Sequence, residues 1–148
     1  MGTWALHAFG NDEAADFLDD LTAKGDLELV TQAVQDAVEQ EDYLEAPSAE
    51  LALAAIEVLC ALRGSPSPLF LAQKDLPEWL NAQAGRDAQV SNDTALQAID
   101  RLLGGSSELA ELYEESDEND AWRDGVLALR ERVAGLAVEP QRRAQAGR

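Results

Sequence analysis

Apolar residues recur at intervals of three and four along most of the chain, which is the period of a helix with one buried face. Asn11 is suited to cap a first helix, and the Lys24-Gly25 pair predicts where that helix ends. A second helix is predicted over 26–40. The apolar stripes of these helices are Ala14, Phe17, Leu18 and Leu21 in the first, and Leu27, Val30, Ala33, Val34, Ala37 and Val38 in the second.

A third helix, predicted over 48–63, is apolar on nearly every side. Glu57 is the only charged residue between Leu51 and Leu62, so we expect other helices to cover this one on several sides. Ser48 is predicted to cap its start. The Gly-Ser-Pro-Ser-Pro stretch over 64–68 predicts the loop that follows it.

Further helices are predicted in the second half of the chain. Asp75, with Glu78 three residues later, indicates a capping box for a short helix. Another helix is expected from about Asn92 to the Gly104-Gly105 pair, and a helical segment over 108–115 follows it. The last helix has a narrow apolar seam made of Trp122, Val126, Leu129, Val133 and Leu136.

The chain as a whole is predicted to be all-α, because no stretch alternates apolar and polar residues as a strand would. We expect a compact bundle of six to seven helices in two layers, with the helix at 48–63 in its centre. A length of 148 residues fits one domain, which we assign to 1–138. The segment 139–148 is predicted to be a basic, disordered tail.

The net charge of −18 is large for this length and is unevenly distributed. Residues 1–62 hold 14 acidic residues against one lysine, whereas 63–148 hold 15 against ten basic residues. Such a surface repels nucleic acids and anionic membranes and attracts basic proteins, so we expect an interaction module for a basic partner. The alternative is that the charge only keeps the protein soluble and monomeric. The candidate acidic surface comprises Asp16, Asp19, Asp20, Asp36, Glu39, Glu41 and Asp42.

Cysteine content and the N-terminus bear on location. Cys60 is the only cysteine, so it cannot form an internal disulfide, and its apolar surroundings predict a reduced, buried thiol. Residues 1–9 have neither the basic start nor the apolar run of a signal peptide. No apolar run is long enough to span a bilayer. These features predict a cytoplasmic protein, monomeric or weakly dimeric.

Motifs for catalysis, metals and nucleotides are missing from the sequence. His7 is the only histidine, and a Cys60–His7 pair would lack the electropositive surroundings that activate a thiolate. The acidic segment from Asp117 has Ala121 and Trp122 where a calcium loop needs an oxygen ligand and a glycine. We therefore expect no enzymatic activity, no cofactor and no metal site.

Glu57 is the most unusual polar residue, since it lies in the middle of the helix predicted to be most buried. A buried carboxylate needs a cation, a hydroxyl or N–H donors, because burying it alone is costly. In a structural interpretation, Glu57 ties down the N-terminal segment, including the N–H of Trp4. In a functional interpretation, Glu57, Glu45 and Asp12 line an acidic pocket that binds a small ligand or a divalent cation.

Several segments resemble one known family. Met1-Gly2-Thr3-Trp4 and Phe9-Gly10-Asn11-Asp12-Glu13-Ala14-Ala15-Asp16-Phe17 are similar to the opening of the DUF4259 family, bacterial domains of unknown function. Asp42-Tyr43-Leu44-Glu45-Ala46-Pro47, with the alanine-rich helix that follows, resembles its central motif. The segment 107–113 and the helix around Trp122 are similar to its closing pattern, whereas 5–8 departs from the expected glycine-containing stretch.

This resemblance implies a bacterial origin and a compact domain of unassigned activity, and it transfers no catalytic residue. The polar positions that it singles out as candidates are Trp4, Asn11, Asp12, Asp16, Glu45 and Glu57. By analogy with other small acidic bacterial proteins, an immunity or antitoxin role is one form that the expected interaction could take.

Overall fold

A computed structural model describes residues 12–146 apart from 41 and 84, with side chains described to Leu136 except that of Leu69. Trp4, Asn11 and Glu41, three of the predicted site residues, lie outside the described part of the chain.

The described residues contain eight helices and no strand, which confirms the all-α prediction. They are α1 (Asp12–Lys24), α2 (Glu28–Glu39), α3 (Ala46–Leu62), α4 (Pro68–Ala72), α5 (Leu76–Ala82), α6 (Asn92–Leu103), α7 (Glu108–Glu114) and α8 (Asn119–Ala146). The count exceeds the expected six to seven because the short helix α4 follows the loop directly. Ser67 begins it, since its side chain accepts a hydrogen bond from the amide of Phe70 at 3.0 Å.

The helix α3 is the centre of the fold, as predicted. Every residue from Ala52 to Ala61 is buried. Helices α1, α2, α4, α6, α7 and α8 all contact α3. Many of its buried residues are alanines, and these short side chains let neighbouring helices approach closely from several directions.

The helices α2, α6 and α8 form the other large contacts of the core, in which α6 packs against both α2 and α8. The predicted seam of α8 is confirmed, because all five of its residues from Trp122 to Leu136 are buried. The indole of Trp122 stacks on the ring of Tyr113, with ring centroids 4.7 Å apart. The regular apolar spacing of the sequence therefore marks real packing faces.

The ends of several helices differ from the predicted caps. The helix α3 begins at Ala46, two residues before the predicted cap Ser48, whose hydroxyl instead accepts a hydrogen bond from Gln40 Nε2 at 2.6 Å. The capping box at Asp75 is wrong, because this residue has a positive φ of 70° and its side chain makes no capping hydrogen bond. The predicted end of α1 at Gly25 is confirmed by its φ of 65°.

The longest helix, α8, has 28 residues and ends at Ala146. Its backbone thus continues into 139–148, the segment for which the sequence predicts a disordered tail, and the domain boundary at 138 stays a prediction. Within the described ranges, no helix combines the length and the apolarity that crossing a membrane requires.

The central position of α3 makes its leucines the residues most sensitive to truncation. We expect Leu59→Ala to lower the free energy of unfolding by about 2–5 kcal/mol, because Leu59 is fully buried and the change leaves a cavity. Leu127→Ala on the exposed side of α8 is the matched control and should change it by less than about 0.5 kcal/mol. Urea denaturation measures both values, and equal losses would contradict the assigned core.

Candidate functional site

The candidate acidic surface is exposed wherever the structure describes it. Asp16, Asp19 and Asp20 project from α1, whereas Asp36 and Glu39 project from α2 and Asp42 lies in the loop that follows. The three ion pairs in the described part of the chain use other carboxylates, those of Asp87, Asp100 and Glu57. None of the six described acids of this surface therefore forms an ion pair with a lysine or arginine in the described part of the chain.

Two arginines of the second half, Arg63 and Arg101, bind groups outside the acidic surface. Arg63, at the end of α3, donates to both carboxylate oxygens of Asp87 at 2.9 and 3.1 Å and to the carbonyl oxygen of Ala88 at 3.2 Å. Arg101 reaches α2, but its Nη1 donates to the backbone carbonyl of Val38 at 3.0 Å rather than to a carboxylate. These side chains anchor loops and a helix end, and they leave the acidic surface uncompensated.

Glu57 has a cation partner on the last helix of the chain. Its side chain is fully buried, and Arg132 Nη1 on α8 donates to Glu57 Oε1 at 2.9 Å. The Nη2 of Arg132 donates to the carbonyl oxygen of Ser65 at 2.9 Å. One guanidinium therefore ties α8 both to the middle of α3 and to the turn after it, which supports a structural role for Glu57.

Sequence reasoning missed Arg132, although a signal was present. Arg132 follows Leu129 by three residues and directly precedes Val133, so it borders the apolar seam of α8. A cation in that position can extend into the core and meet the lone buried carboxylate. The predicted link from Glu57 to Trp4 lies outside the described residues.

Cys60 lies one turn after Glu57 and is completely buried, as predicted. The pKa of its thiol is raised to about 11, mainly by burial. Nearby Arg132 and Arg63 lower this pKa, but by a smaller amount. The thiol is therefore protonated at neutral pH, and a protonated thiol is a poor nucleophile and metal ligand.

The pocket of Glu57, Glu45 and Asp12 stays a prediction, and the structure places two of its members far apart. Glu45 precedes α3 and is exposed, and the 12 residues that separate it from Glu57 span about 18 Å along the helix axis. Glu50 of α3 lies near Asp12, and its pKa is raised by its partial burial and by the charges of Glu13 and Asp12. Among the described residues, no three or more acidic, cysteine or histidine side chains are grouped to hold a metal ion.

The loop before α3 is joined to the start of α7 by backbone hydrogen bonds. The amide of Leu44 donates to the carbonyl oxygen of Ser106 at 2.8 Å. The amide of Glu108 in turn donates to the carbonyl oxygen of Leu44 at 2.9 Å. Glu108 Oε1 also accepts a hydrogen bond from the amide of Ala46 at 2.8 Å, so a residue of α7 caps α3. These bonds fix the loop that carries Asp42 and Tyr43 against α7.

This junction creates a cleft of about 450 Å³, here called the α7 cleft. The phenol of Tyr43 donates a hydrogen bond to Glu111 Oε1 within it. This bond to a carboxylate, with its negative charge nearby, raises the pKa of Tyr43 to about 12. The residues that line the cleft are Tyr43, Glu108, Glu111, Leu112, Glu114 and Glu115.

The glutamates of α7 are functional candidates that sequence reasoning did not select. They are separated from Tyr43 by more than sixty positions in the chain, and no local pattern indicates that the two segments meet. The only sequence signal is the high density of glutamates over 108–115.

Comparison with known proteins gives one match. A family model described as "Domain of unknown function (DUF4259)" matches residues 2–125, which is most of the chain. No curated protein and no solved structure gave a match to the chain.

Substituting either partner of the buried ion pair should lower the free energy of unfolding, but by unequal amounts. Arg132→Ala is expected to lower the free energy of unfolding by about 3 kcal/mol, because it leaves the Glu57 carboxylate buried without this partner. Glu57→Gln should cost less, since an amide oxygen still accepts from Arg132. Guanidinium chloride denaturation measures these losses.

The matched control for this prediction is Arg130→Ala, which breaks the pair between Arg130 Nε and Asp100 Oδ1 at 2.7 Å. This pair is at the surface, so its removal should have a much smaller effect. An effect of Arg130→Ala as large as that of Arg132→Ala would contradict the importance given to burial.

The tyrosines should ionise at unusually high pH. The pKa of Tyr113 is raised to about 12 by burial first and then by the charges of Glu50 and Glu118, so neither tyrosine should form tyrosinate near pH 10, the ordinary value. Because the unfolded chain loses these protons at about pH 10, stability should fall as the pH rises from about 10 towards 12. Absorbance at about 295 nm follows the ionisation of tyrosine.

The variant Glu111→Gln, studied in the background of Tyr113→Phe, isolates Tyr43. Its pKa should move back towards the ordinary value, because the acceptor no longer carries a charge. An unchanged titration would show that Glu111 does not hold Tyr43.

Proposed function

Because the chain belongs to the DUF4259 family, a family of unknown function, we propose its role from its own surface. It is a non-enzymatic, cytoplasmic protein-interaction module that binds a basic partner protein. The observation that carries this proposal is the set of exposed acids on α1, on α2 and in the loop after α2 that have no cation partner among the described residues.

Unpaired surface carboxylates favour association with a positively charged surface. Acidic residues outnumber basic ones by 29 to 11, so the long-range field attracts cationic proteins and raises their rate of encounter. The same field repels nucleic acids, anionic membranes and other copies of the chain, which supports a monomer. Apolar contacts at short range then hold the complex together.

An immunity or antitoxin role is a concrete form of this function. In that form the acidic module covers a basic surface of a toxin and blocks its access to substrate. The support for it is the analogy with other small acidic proteins and the charge described above.

Neutralising the acidic surface should abolish capture of the partner. The six-fold variant carries Asp16→Asn, Asp19→Asn, Asp20→Asn, Asp36→Asn, Glu39→Gln and Asp42→Asn. We expect it to recover at least about tenfold less of a basic protein from a lysate of the host cells than the unmodified chain does. Recovery is measured by quantitative mass spectrometry at about 50 and about 150 mM salt, with more protein retained at the lower concentration.

The control for this capture carries the same change in net charge at six exposed acids elsewhere. It combines Asp75→Asn, Asp93→Asn, Asp117→Asn, Asp120→Asn, Asp124→Asn and Glu131→Gln. The control should retain the partner. Recovery of no basic protein at either salt concentration, or an equal loss with the control, would refute the proposed function.

A further inference from the structure

Two of the four large apolar side chains exposed in the described residues lie in the same cleft. Tyr43 is 42% exposed and Leu112 is 54% exposed, and both line the α7 cleft. Single exposed apolar residues are common on protein surfaces, whereas an aromatic and an aliphatic side chain grouped in a cleft are typical of a binding site. Leu71 and Leu127, the other two, are not part of this cleft.

Tyr43 is held in position before any partner arrives. Its hydroxyl is bonded to Glu111, and the neighbouring Leu44 is bonded through its amide and carbonyl to the segment 106–108. A side chain that is already ordered loses little conformational entropy on binding. Tyrosine also offers a large, rigid contact surface, and for these reasons it is enriched at binding sites.

The charge of the cleft has one sign. Glu108, Glu111, Glu114 and Glu115 line it, and no lysine or arginine among the described residues does. One oxygen of Glu108 is engaged with the amide of Ala46, and one oxygen of Glu111 is engaged with Tyr43. The second oxygen of Glu111 and the carboxylates of Glu114 and Glu115 lie beside the apolar pair.

We propose that the α7 cleft is the docking site for a basic segment of the partner protein that carries an arginine next to an aliphatic side chain. The guanidinium lies against the ring of Tyr43 and pairs with the free oxygens of the glutamates, while the aliphatic side chain packs on Leu112. Arginine fits better than lysine because its planar group stacks on an aromatic ring and binds a carboxylate through two hydrogen bonds.

This assignment rests on the proposed function and specifies where the partner is anchored. Asp42 belongs to the candidate acidic surface and directly precedes Tyr43, so the cleft begins where that surface ends. A second copy of the chain is a poor occupant, because each copy carries a net charge of −18 and would bring further carboxylates to an acidic cleft. Charge complementarity thus favours a basic partner over self-association.

The test uses a short fluorescent peptide in which leucine–arginine pairs are spaced by glycines, with binding measured by anisotropy. A peptide of this size can bind in the cleft without also covering the acidic surface on α1. We expect Leu112→Ala and Tyr43→Ala each to weaken binding at least about fivefold, as truncation of a binding anchor does. Leu127→Ala, which truncates an equally exposed leucine on α8, should leave the affinity unchanged. Replacing arginine by lysine, or leucine by glycine, in the peptide should also weaken binding.

A second pair of variants separates the cleft from the acidic surface. Glu114→Gln with Glu115→Gln should weaken binding of the peptide and reduce its dependence on salt. Asp16→Asn with Asp20→Asn changes the charge equally on α1 and should have no effect on the peptide. Peptide binding that responds to the α1 pair, or equally to Leu127→Ala and Leu112→Ala, overturns the docking site but leaves the proposed function intact.

Absence of peptide binding also overturns the docking site. The proposed function is then decided separately, because the six-fold variant and its control test capture of the whole partner protein. A partner that is captured normally by the variant Leu112→Ala would likewise place the anchor elsewhere on the surface.

Discussion

The complete burial of the middle of α3 constrains the rest of the structure. The stretch from Ala52 to Ala61 is completely buried and leaves no route to water for its one charged side chain, so Glu57 must be neutralised within the core. Arg132 does this from α8, and its second hydrogen bond to Ser65 fixes the turn after α3. The register of α8 against α3 is therefore set by an ion pair as well as by apolar contacts.

The same use of arginine explains the character of the surface. Arg63 binds the loop before α6, Arg101 binds the end of α2, and Arg132 neutralises the core. The basic residues of the described chain thus serve mainly to join its elements, whereas many acidic residues remain at the surface without partners. Because these arginines bind loop, helix-end and core groups, they do not offset the exposed carboxylates, and the surface stays acidic. A surface of this charge is complementary to a basic protein.

The junction between the loop after α2 and the start of α7 connects fold and function. Its hydrogen bonds satisfy backbone groups that would otherwise be unpaired, and Glu108 caps α3 across that junction. Tyr43 and the glutamates of α7 are brought together as a consequence. An arrangement required by the backbone therefore also produces an ordered aromatic ring within an anionic cleft.

The sequence by itself determined the helical class, the central place of α3, the apolar faces of α1, α2 and α8 and the anionic character, because periodicity and composition are local properties of the chain. Only the tertiary structure decided the partner of Glu57, the cap of α3 and the composition of the α7 cleft. Arg132 is 75 positions from Glu57, and Glu108 is 62 positions from Ala46. Contacts at such separations depend on how helices pack, and the apolar spacing that predicts each helix is compatible with many packing registers.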